Sequence, residues 1–275
     1  MRRGKHEQHY LLTEKMIDFE KALSKLDLAL FAQISSQSTD DDKRSLLACQ
    51  AAVRDLVPEY KYLEIGSYLG GSIQPHLLDN QCQRIYSIDK RPPSQPDARG
   101  YDWVYLNNST KRMLEMLSKV SAKTEKITTL DADTRTINPG VIADKIHLCF
   151  IDGEHTDESV VTDFKFCLRI LADRGAIVFH DAQITYNGIA ACLRHLEAGG
   201  VLFKAYILPD VVFVIEIGGF PLHQNPKVLE RLIDNHKAYL FSLKDNDSYR
   251  RFANRFPFGA LRRLKLKLRG GNINQ

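Results

Sequence analysis

The feature that most constrains the fold is an alternation of short apolar strands and helical segments between residues 58 and 220. Alternation of this kind is typical of βαβ units, in which helices cover both faces of a parallel sheet. The predicted strands lie near residues 61–66, 84–89, 126–131, 145–151 and 175–180, and the helices between them near 71–80, 109–121, 157–172 and 186–198. Two further strands, 203–208 and 211–217, are joined only by a short turn, which permits only an antiparallel pair.

Segments of other character flank this α/β part. Residues 9–56 have apolar residues at helical spacing, residues 226–246 also resemble a helix, and residues 249–269 form a basic tail. We therefore expect three parts: an N-terminal helical extension over residues 1–57, an α/β body over 58–220, and a C-terminal helix with a basic tail over 221–275. The N-terminal helices are expected either to cover a site on the body or to form a dimer contact.

Composition narrows the class of protein. The chain shows no apolar run near 18 residues and no secretory signal, and its five cysteines are scattered without a C-x-x-C pair. These features predict a cytoplasmic protein without a disulfide framework. The basic charge is concentrated after Tyr249, where no acid occurs, so the body is not expected to bind nucleic acid. The tail is expected either to lie on an anionic membrane surface or to be a solvated end.

A glycine-rich turn follows the first predicted strand, in the segment YLEIGSYLGGS over residues 62–72. Glycine lets backbone amides approach a ligand because it has no Cβ atom. The spacing is not the G-x-G-x-x-G of nicotinamide enzymes, and Glu64 at its start would repel a pyrophosphate. The turn therefore predicts a site for a nucleoside without phosphates, or for one that carries positive charge.

Acidic residues stand at the ends of all five predicted parallel strands, where ligands bind in open α/β sheets. They are Glu64, Asp89, Asp131 with Asp133, Asp152, and Asp181 after His180. Asp89 is at the position that typically accepts hydrogen bonds from ribose hydroxyls. If the fourth and fifth strands are neighbours, Asp152 and Asp181 lie close enough to require a cation between them, and Mg²⁺ prefers such oxygen ligands. His155 is then either a third ligand or a general base.

Each of these residues also has an ordinary structural explanation. Asp152 before Gly153 is a common turn, His155 could begin a helix, and Asp181 could cap the next segment. The site interpretation is favoured because the residues occur together at adjacent strand ends. Tyr68, His76 and Tyr186 are either substrate contacts or core and surface residues.

The successive motifs resemble those of class I S-adenosylmethionine-dependent methyltransferases. They are E-I-G-S-Y-L-G-G-S, S-I-D-K, L-D-A-D-T, F-I-D-G-E-H and G-A-I-V-F-H-D-A, and the similar region spans about residues 60–217. The pattern is most similar to the D-G-x-H group, which includes small-molecule and sugar O-methyltransferases. The resemblance implies a Rossmann-like, doubly wound seven-stranded sheet with an antiparallel last strand.

The resemblance also implies roles for individual residues. Those expected to bind S-adenosylmethionine are Glu64, Gly66, Ser67, Ser72, Asp89, Asp133 and Asp152. In metal-dependent relatives, an acid at the position of Asp152 binds Mg²⁺ together with one at the position of Asp181. Those relatives often have a further acid or amide beside that position, but the neighbours of Asp181 here are His180 and Ala182. His155 is therefore the candidate third ligand, and His180 is the alternative. Asp152, His155 and His180 are the expected catalytic residues.

These inferences predict an O-methyltransferase that acts on a hydroxylated small molecule or sugar, with assistance from Mg²⁺ or another divalent cation. Two other functions remain open at this level. One is a non-catalytic binding or scaffold protein that keeps the fold, and the other is a nicotinamide oxidoreductase, which the glycine spacing disfavours. Peripheral membrane contact would depend on the basic tail.

Overall fold

The computed structural model describes residues 18–99 and 102–254, together with residues 257, 258, 260, 261 and 264. Its strands are β1 (Lys61–Ile65), β2 (Arg84–Ile88), β3 (Ser94–Pro96), β4 (Asp102–Val104), β5 (Ile127–Leu130), β6 (Ile146–Ile151), β7 (Leu171–Phe179), β8 (Phe203–Ile207) and β9 (Phe213–Ile217). Its α-helices are α1 (Phe19–Ser24), α2 (Asp40–Leu56), α3 (Gln74–Leu78), α4 (Thr110–Val120), α5 (Asp157–Ile170), α6 (Tyr186–Ala198), α7 (Pro226–Leu229) and α8 (His236–Asn254).

Seven strands form the main sheet in the order β5–β2–β1–β6–β7–β9–β8. All neighbouring pairs from β5 to β7 are parallel, whereas β9 runs antiparallel to both β7 and β8. The predicted seven-stranded sheet with an antiparallel last strand is therefore confirmed. In this order β1 and β6 are central, so the segments that follow them meet at the middle of one sheet edge.

Two hydrophobic layers cover the sheet, one on each face. Successive side chains of a strand point to opposite faces, and Tyr62 accordingly packs with α2, α3 and α4 while Leu63 packs with α5 and α6. The N-terminal helix α2 buries Leu47, Ala52 and Val53 in the first layer. Helices thus lie on both faces, as predicted for a doubly wound fold. The division of the chain at residues 57 and 220 stays a prediction.

The N-terminal segment is helical in shorter pieces than its periodicity suggests. After α1 the chain turns at Leu26, which has a positive φ of 52°, and Asp27 then caps a short 3₁₀ helix over Leu28–Phe31. Helix α2 begins at Asp40 because Thr39 and Asp42 form a reciprocal capping box. Residues 1–17, part of the predicted helical extension, lie outside the described residues.

A continuous helix over residues 226–246 is wrong. Helix α7 ends at Leu229, and α8 begins only at His236. Between them Ile233 exchanges two backbone hydrogen bonds with Ile207, at 3.2 and 2.8 Å. Pairing with β8, the strand at the edge of the sheet, outweighs helix continuity here because it satisfies backbone groups that an edge strand leaves open.

The structure also contains a small hairpin that was not predicted. Strands β3 and β4 pair antiparallel between β2 and α4, and each has only three residues. The hairpin is attached to the body through the Ala98 amide, which donates to the His155 carbonyl at 2.8 Å. It therefore lies beside the segment that follows β6.

Among the described residues, no helix has both the length and the apolar character needed to cross a membrane.

Candidate active site

The glycine-rich turn lies directly against the end of β6. Gly66 has a φ of +92°, and a Cβ atom at this position would lie 2.1 Å from the Asp152 carbonyl oxygen. Only glycine fits here, because a side chain would collide with backbone and would also disfavour the left-handed conformation. The turn and the D-G-E-H segment therefore form one continuous surface.

Glu64 is a buried carboxylate fixed from both sides. The Tyr62 hydroxyl donates to its Oε2 atom at 2.6 Å, and the Ser72 hydroxyl donates to Oε1 at 2.7 Å. Burial raises the pKa of Glu64 to about 7, although these two hydrogen bonds counteract the shift, and the charges of Asp152 and Asp89 add to it. Ser72 precedes α3 and, through Glu64, ties the turn to β1.

Asp89 ends β2 beside the same turn. Its Oδ2 atom accepts a hydrogen bond from the Tyr68 amide at 2.9 Å, and Oδ1 accepts from the Arg91 amide at 2.7 Å. The Arg91 guanidinium lies 3.4 Å from Oδ2. Ser67 is buried in the turn and accepts a hydrogen bond from the Ser87 hydroxyl of β2 at 2.8 Å. The first two strands and the turn are thus joined by polar contacts at the predicted cofactor edge.

Asp133 follows β5 and faces a small space. Arg135 donates to both of its carboxylate oxygens, at 2.9 and 2.6 Å, and these hydrogen bonds are the main reason that its pKa is lowered. Lys90 Nζ lies 3.9 Å from Asp133 and is hydrogen-bonded to Glu154. The cavity between these groups and Asp89 has a volume of only about 30 Å³. This volume is smaller than a nucleobase, so side chains that line the space would have to move before a nucleobase could bind beside Asp133.

Asp152 and Asp181 come together as predicted because β6 and β7 are adjacent. His155 Nε2 lies 3.6 Å from Asp152 Oδ1 and 3.2 Å from Asp181 Oδ2. The three residues each offer one ligand atom, and these atoms all lie within 4.8 Å of one another. Two carboxylates and one imidazole form a donor set that can hold a divalent cation.

His180 occupies the other side of the carboxylates. Its Nδ1 atom lies 3.1 Å from both Asp152 Oδ1 and Asp181 Oδ2. Its Nε2 atom lies 3.3 Å from Asp42 Oδ2, which is within ion-pair distance although the direction does not suit a hydrogen bond. Both ring nitrogens of His180 therefore face carboxylates.

The pKa values in this cluster reflect its mixed charges. Burial raises the pKa of Asp152, but His180 and His155 lower it more, so the net pKa lies well below the usual range. Burial lowers the pKa of His180, yet Asp152, Asp181 and Asp42 raise it far above its ordinary value. The pKa of His155 is raised in the same way, against the effect of burial, by Asp152 and Asp181. These shifts favour the ionised form of Asp152 and the cationic forms of His155 and His180.

A cavity of about 450 Å³ opens in front of these residues. The turn forms its floor, and Asp152, His155, His180 and Asp181 form one side. Two other walls come from the segment Ser35–Ser38 and from the hairpin region. The hairpin region contributes Arg99, Trp103 and Tyr105. Asp97 fixes this wall, because its Oδ2 atom accepts from Trp103 Nε1 at 3.1 Å and from Arg99 at 2.7 Å.

Gln74 fixes the wall formed by Ser35–Ser38. Its Oε1 atom accepts hydrogen bonds from the amides of Gln33 and Ile34, and its Nε2 atom lies 2.8 Å from both the Ile34 and Gly71 carbonyl oxygens. A Cβ atom on Gly71 would lie 2.7 Å from Ser36 Cβ. The wall thus packs tightly on the glycine-rich turn through a buried side-chain amide.

The three residues considered as possible substrate contacts lie in different parts of the structure. Tyr68 lines the cavity. His76 is buried behind the turn, where its ring stacks on Tyr62 with centroids 3.7 Å apart, so a direct substrate contact is wrong for this residue. Tyr186 is buried in α6 and donates to Asp247 at 2.9 Å.

Sequence reasoning missed Asp42 and the hairpin wall. Asp42 is one of three acids in the first turn of α2, where acids are common because they complement the helix dipole. The three-residue spacing of Thr39 and Asp42 indicates a capping box at the start of a helix, but it does not predict the contact between Asp42 and His180. Trp103 is the single tryptophan of the chain, and this was the one sequence signal for the hairpin wall.

Comparison with known proteins agrees with this fold. Residues 63–182 match the family model described as a methyltransferase domain. The structure of the O-methyltransferase NovP is similar with a TM-score of 0.55 at 12% identity, covering 72% of this chain and 98% of that protein. The calicheamicin methyltransferase CalS11 has a TM-score of 0.47 at 14% identity, covering 78% and 98%. A putative O-methyltransferase from Klebsiella pneumoniae has a TM-score of 0.47 at 13% identity, covering 71% and 89%.

No curated protein sequence matches the chain significantly. The family model covers both the glycine-rich turn and the D-G-E-H segment, and the similarity to NovP shows the same fold. Residues 63–182 therefore resemble a methyltransferase domain in sequence pattern and in fold, and the resemblance to the class I S-adenosylmethionine-dependent methyltransferases is confirmed.

Proposed function

We propose that the protein transfers a methyl group from S-adenosylmethionine to a hydroxyl of a small molecule or sugar, with assistance from a divalent cation. The observation that carries the proposal is that one cavity contains the glycine-rich turn together with Asp152, His155 and Asp181. The turn provides backbone amides next to the buried carboxylate of Glu64, which suits a cationic ligand. The cavity volume of about 450 Å³ leaves space for an acceptor beside the donor.

The residues would divide into a donor side and an acceptor side. Glu64, Gly66, Ser67 and Ser72 would face the methionine part of the cofactor, and Asp89 would accept hydrogen bonds from its ribose. Asp133 would lie beside the adenine once side chains that line the small space have moved. Because methyl transfer is an in-line displacement, the main task of these contacts is to hold donor and acceptor in alignment.

When bound, S-adenosylmethionine supplies the methyl group, and a cation such as Mg²⁺ lowers the pKa of the acceptor hydroxyl. Asp152 and Asp181 would hold the cation, with His155 as the third ligand or as the base that accepts the hydroxyl proton. His180, whose two nitrogens both face carboxylates, would serve as a fixed positive charge that orients Asp152 and Asp181. This role replaces the metal-ligand alternative for His180.

The walls of the cavity would select the acceptor. Trp103 and Tyr105 offer aromatic surfaces, and the segment Ser35–Ser38 offers hydroxyl and amide groups. An aromatic surface opposite polar side chains suits a ring that carries several hydroxyls. This combination supports a hydroxylated acceptor. The N-terminal helices would contribute to the acceptor site or to a homo-oligomer contact.

The test is calorimetric titration with S-adenosylmethionine, S-adenosylhomocysteine and NAD, followed by transfer of a labelled methyl group to a panel of glycosides and phenols. Binding of the first two ligands without NAD binding is expected. Absence of S-adenosylmethionine binding would overturn the proposal. Binding without transfer to any acceptor would favour a non-catalytic scaffold.

The basic tail supports a second contact, with an anionic membrane surface. Leu261 and Leu264 are exposed by 58% and 54% and lie three residues apart, so they occupy one side of a helical turn. The sequence around them carries Arg262, Arg263 and Lys265 and no acid. Apolar and basic groups in this combination suit the interface of an anionic bilayer.

A further inference from the structure

The donor side of the site is connected to a buried polar cluster that the proposed chemistry does not use. Tyr62 lies two residues before Glu64 on β1, so both side chains point to the same face of the sheet. The Tyr62 hydroxyl donates to Glu64 at 2.6 Å, and its ring stacks on His76 with an interplanar angle of 14°. The next layer contains the Tyr60 hydroxyl, which lies 2.8 Å from His76 Nδ1 and donates to Asp79 at 3.0 Å.

The cluster holds the Tyr62 hydroxyl in one orientation. Tyr62 and His76 are buried, and burial lowers the pKa of His76 to about 3, so its ring stays neutral and stacks without adding charge. Burial and the nearby Glu64 raise the pKa of Tyr62 far above its ordinary value, so its hydroxyl remains a donor. Toward the ionised carboxylate of Glu64, a phenol fixed in this way acts as a hydrogen-bond donor.

Glu64 needs this donor because its surroundings disfavour its charge. The carboxylates of Asp152, at the end of β6, and Asp89, at the end of β2, both oppose ionisation of Glu64, and no cationic side chain is among the principal influences on it. Tyr62 and Ser72 are the two hydrogen-bond donors to its oxygens. A carboxylate that accepts such bonds is stabilised relative to its neutral form.

We propose that Tyr62 is a positioning residue for the donor site, which keeps the Glu64 carboxylate ionised and aimed at the positively charged part of S-adenosylmethionine. This inference rests on the proposed function. Strand β1 would then contribute two residues to the donor site, Glu64 of the E-I-G motif and Tyr62 two positions before it. Tyr62 would act through Glu64 and would not touch the cofactor itself.

The test is the pH dependence of S-adenosylmethionine binding, measured by calorimetry between pH 5.5 and 9 in the presence of EDTA. The variant is Tyr62→Phe, which removes only the hydroxyl. Hydrogen bonds to charged groups are worth enough that we expect the affinity near pH 7 to fall by roughly tenfold. The variant and the wild type should converge to within about threefold at pH 9, where Glu64 is ionised in both.

Tyr60→Phe is the matched control, because it removes a buried hydroxyl from the same cluster without contacting Glu64. A general loss of packing or stability would affect both variants alike, whereas a positioning role predicts a shifted pH profile for Tyr62→Phe alone. Titration of the ligand itself is common to all three proteins and cancels in their affinity ratios.

The outcomes distinguish a failure of the proposed function from a failure of the role inferred for Tyr62. Wild-type protein that binds no S-adenosylmethionine at any pH would overturn the proposed function and this inference with it. Normal binding by the wild type, with the same pH profile for Tyr62→Phe or with equal shifts in both variants, would overturn this inference alone.

Discussion

The Nε2 atom of His180 lies 3.3 Å from the Oδ2 atom of Asp42, so helix α2 contributes a carboxylate to the cluster at the ends of β6 and β7. Asp42 also accepts hydrogen bonds from the Thr39 hydroxyl at 2.9 Å and from the Val211 amide at 3.2 Å. One buried side chain therefore joins the N-terminal helices, the turn between β8 and β9, and the candidate active site.

Asp42→Ala is expected to destabilise the protein by about 3 kcal/mol, because it leaves a buried imidazolium and a backbone amide without their partner. The measurement is urea unfolding at pH 7. Asp40→Asn, in the same helical turn but exposed, serves as the control and should change stability by less than about 0.5 kcal/mol. Equal stabilities for wild type and Asp42→Ala would show that this contact contributes nothing.

The raised pKa of Asp163 predicts that its contribution to the free energy of unfolding falls as the pH rises. Burial raises its pKa to about 7 from the unfolded value of 3.8, although the Thr134 hydroxyl donates to it at 2.6 Å. The folded state therefore binds the proton more tightly, and its advantage is lost between about pH 4 and pH 7. Asp163→Asn should be more stable than the wild type by about 2–4 kcal/mol at pH 8 and nearly equal to it below pH 4.

The check is denaturant unfolding of both proteins at several pH values without ligand. Exposed Glu158→Gln, on the same helix, should show no such pH-dependent difference. A difference between Asp163→Asn and wild type that is constant with pH would contradict the raised pKa.

Removal of metal is expected to stop methyl transfer. Asp181→Asn removes one of the three ligand groups and should weaken Mn²⁺ binding by at least roughly tenfold in calorimetry. Asp131→Asn is the control, because this acid also follows a strand but lies outside the three-residue group. Methyl transfer that is unchanged in EDTA would exclude the metal role and leave His155 as the candidate base.

The tail predicts charge-dependent membrane binding. Wild-type protein should sediment with vesicles that contain phosphatidylserine at low salt and remain in solution with phosphatidylcholine alone. Leu261→Glu with Leu264→Glu should abolish sedimentation, whereas Leu202→Glu, at an exposed apolar residue elsewhere, should leave it intact. Equal recovery of all three proteins with both vesicle types would refute the membrane contact.

Much of the fold could be predicted because it depends on local periodicity. The strands are short and mostly apolar, and parallel order places their carboxyl ends at one edge of the sheet. Asp152 and Asp181 could therefore be paired in advance. The contact between Asp42 and His180 joins residues 138 positions apart, and no periodicity encodes it. The hairpin was missed because three-residue strands are too short to show alternation.

The five-way hydrogen bonding of Gln74 has a consequence for how specificity can change. These bonds join the backbone of Phe31, Gln33 and Ile34, just before Ser35–Ser38, to the Gly71 carbonyl of the glycine-rich turn. The spacing between this wall and the turn is therefore set during folding and does not depend on a ligand. Side chains on this wall can then be exchanged for others while the reacting groups keep their spacing. New acceptors could be acquired by substitution in this short segment, provided that Gln74 and Gly71 are retained.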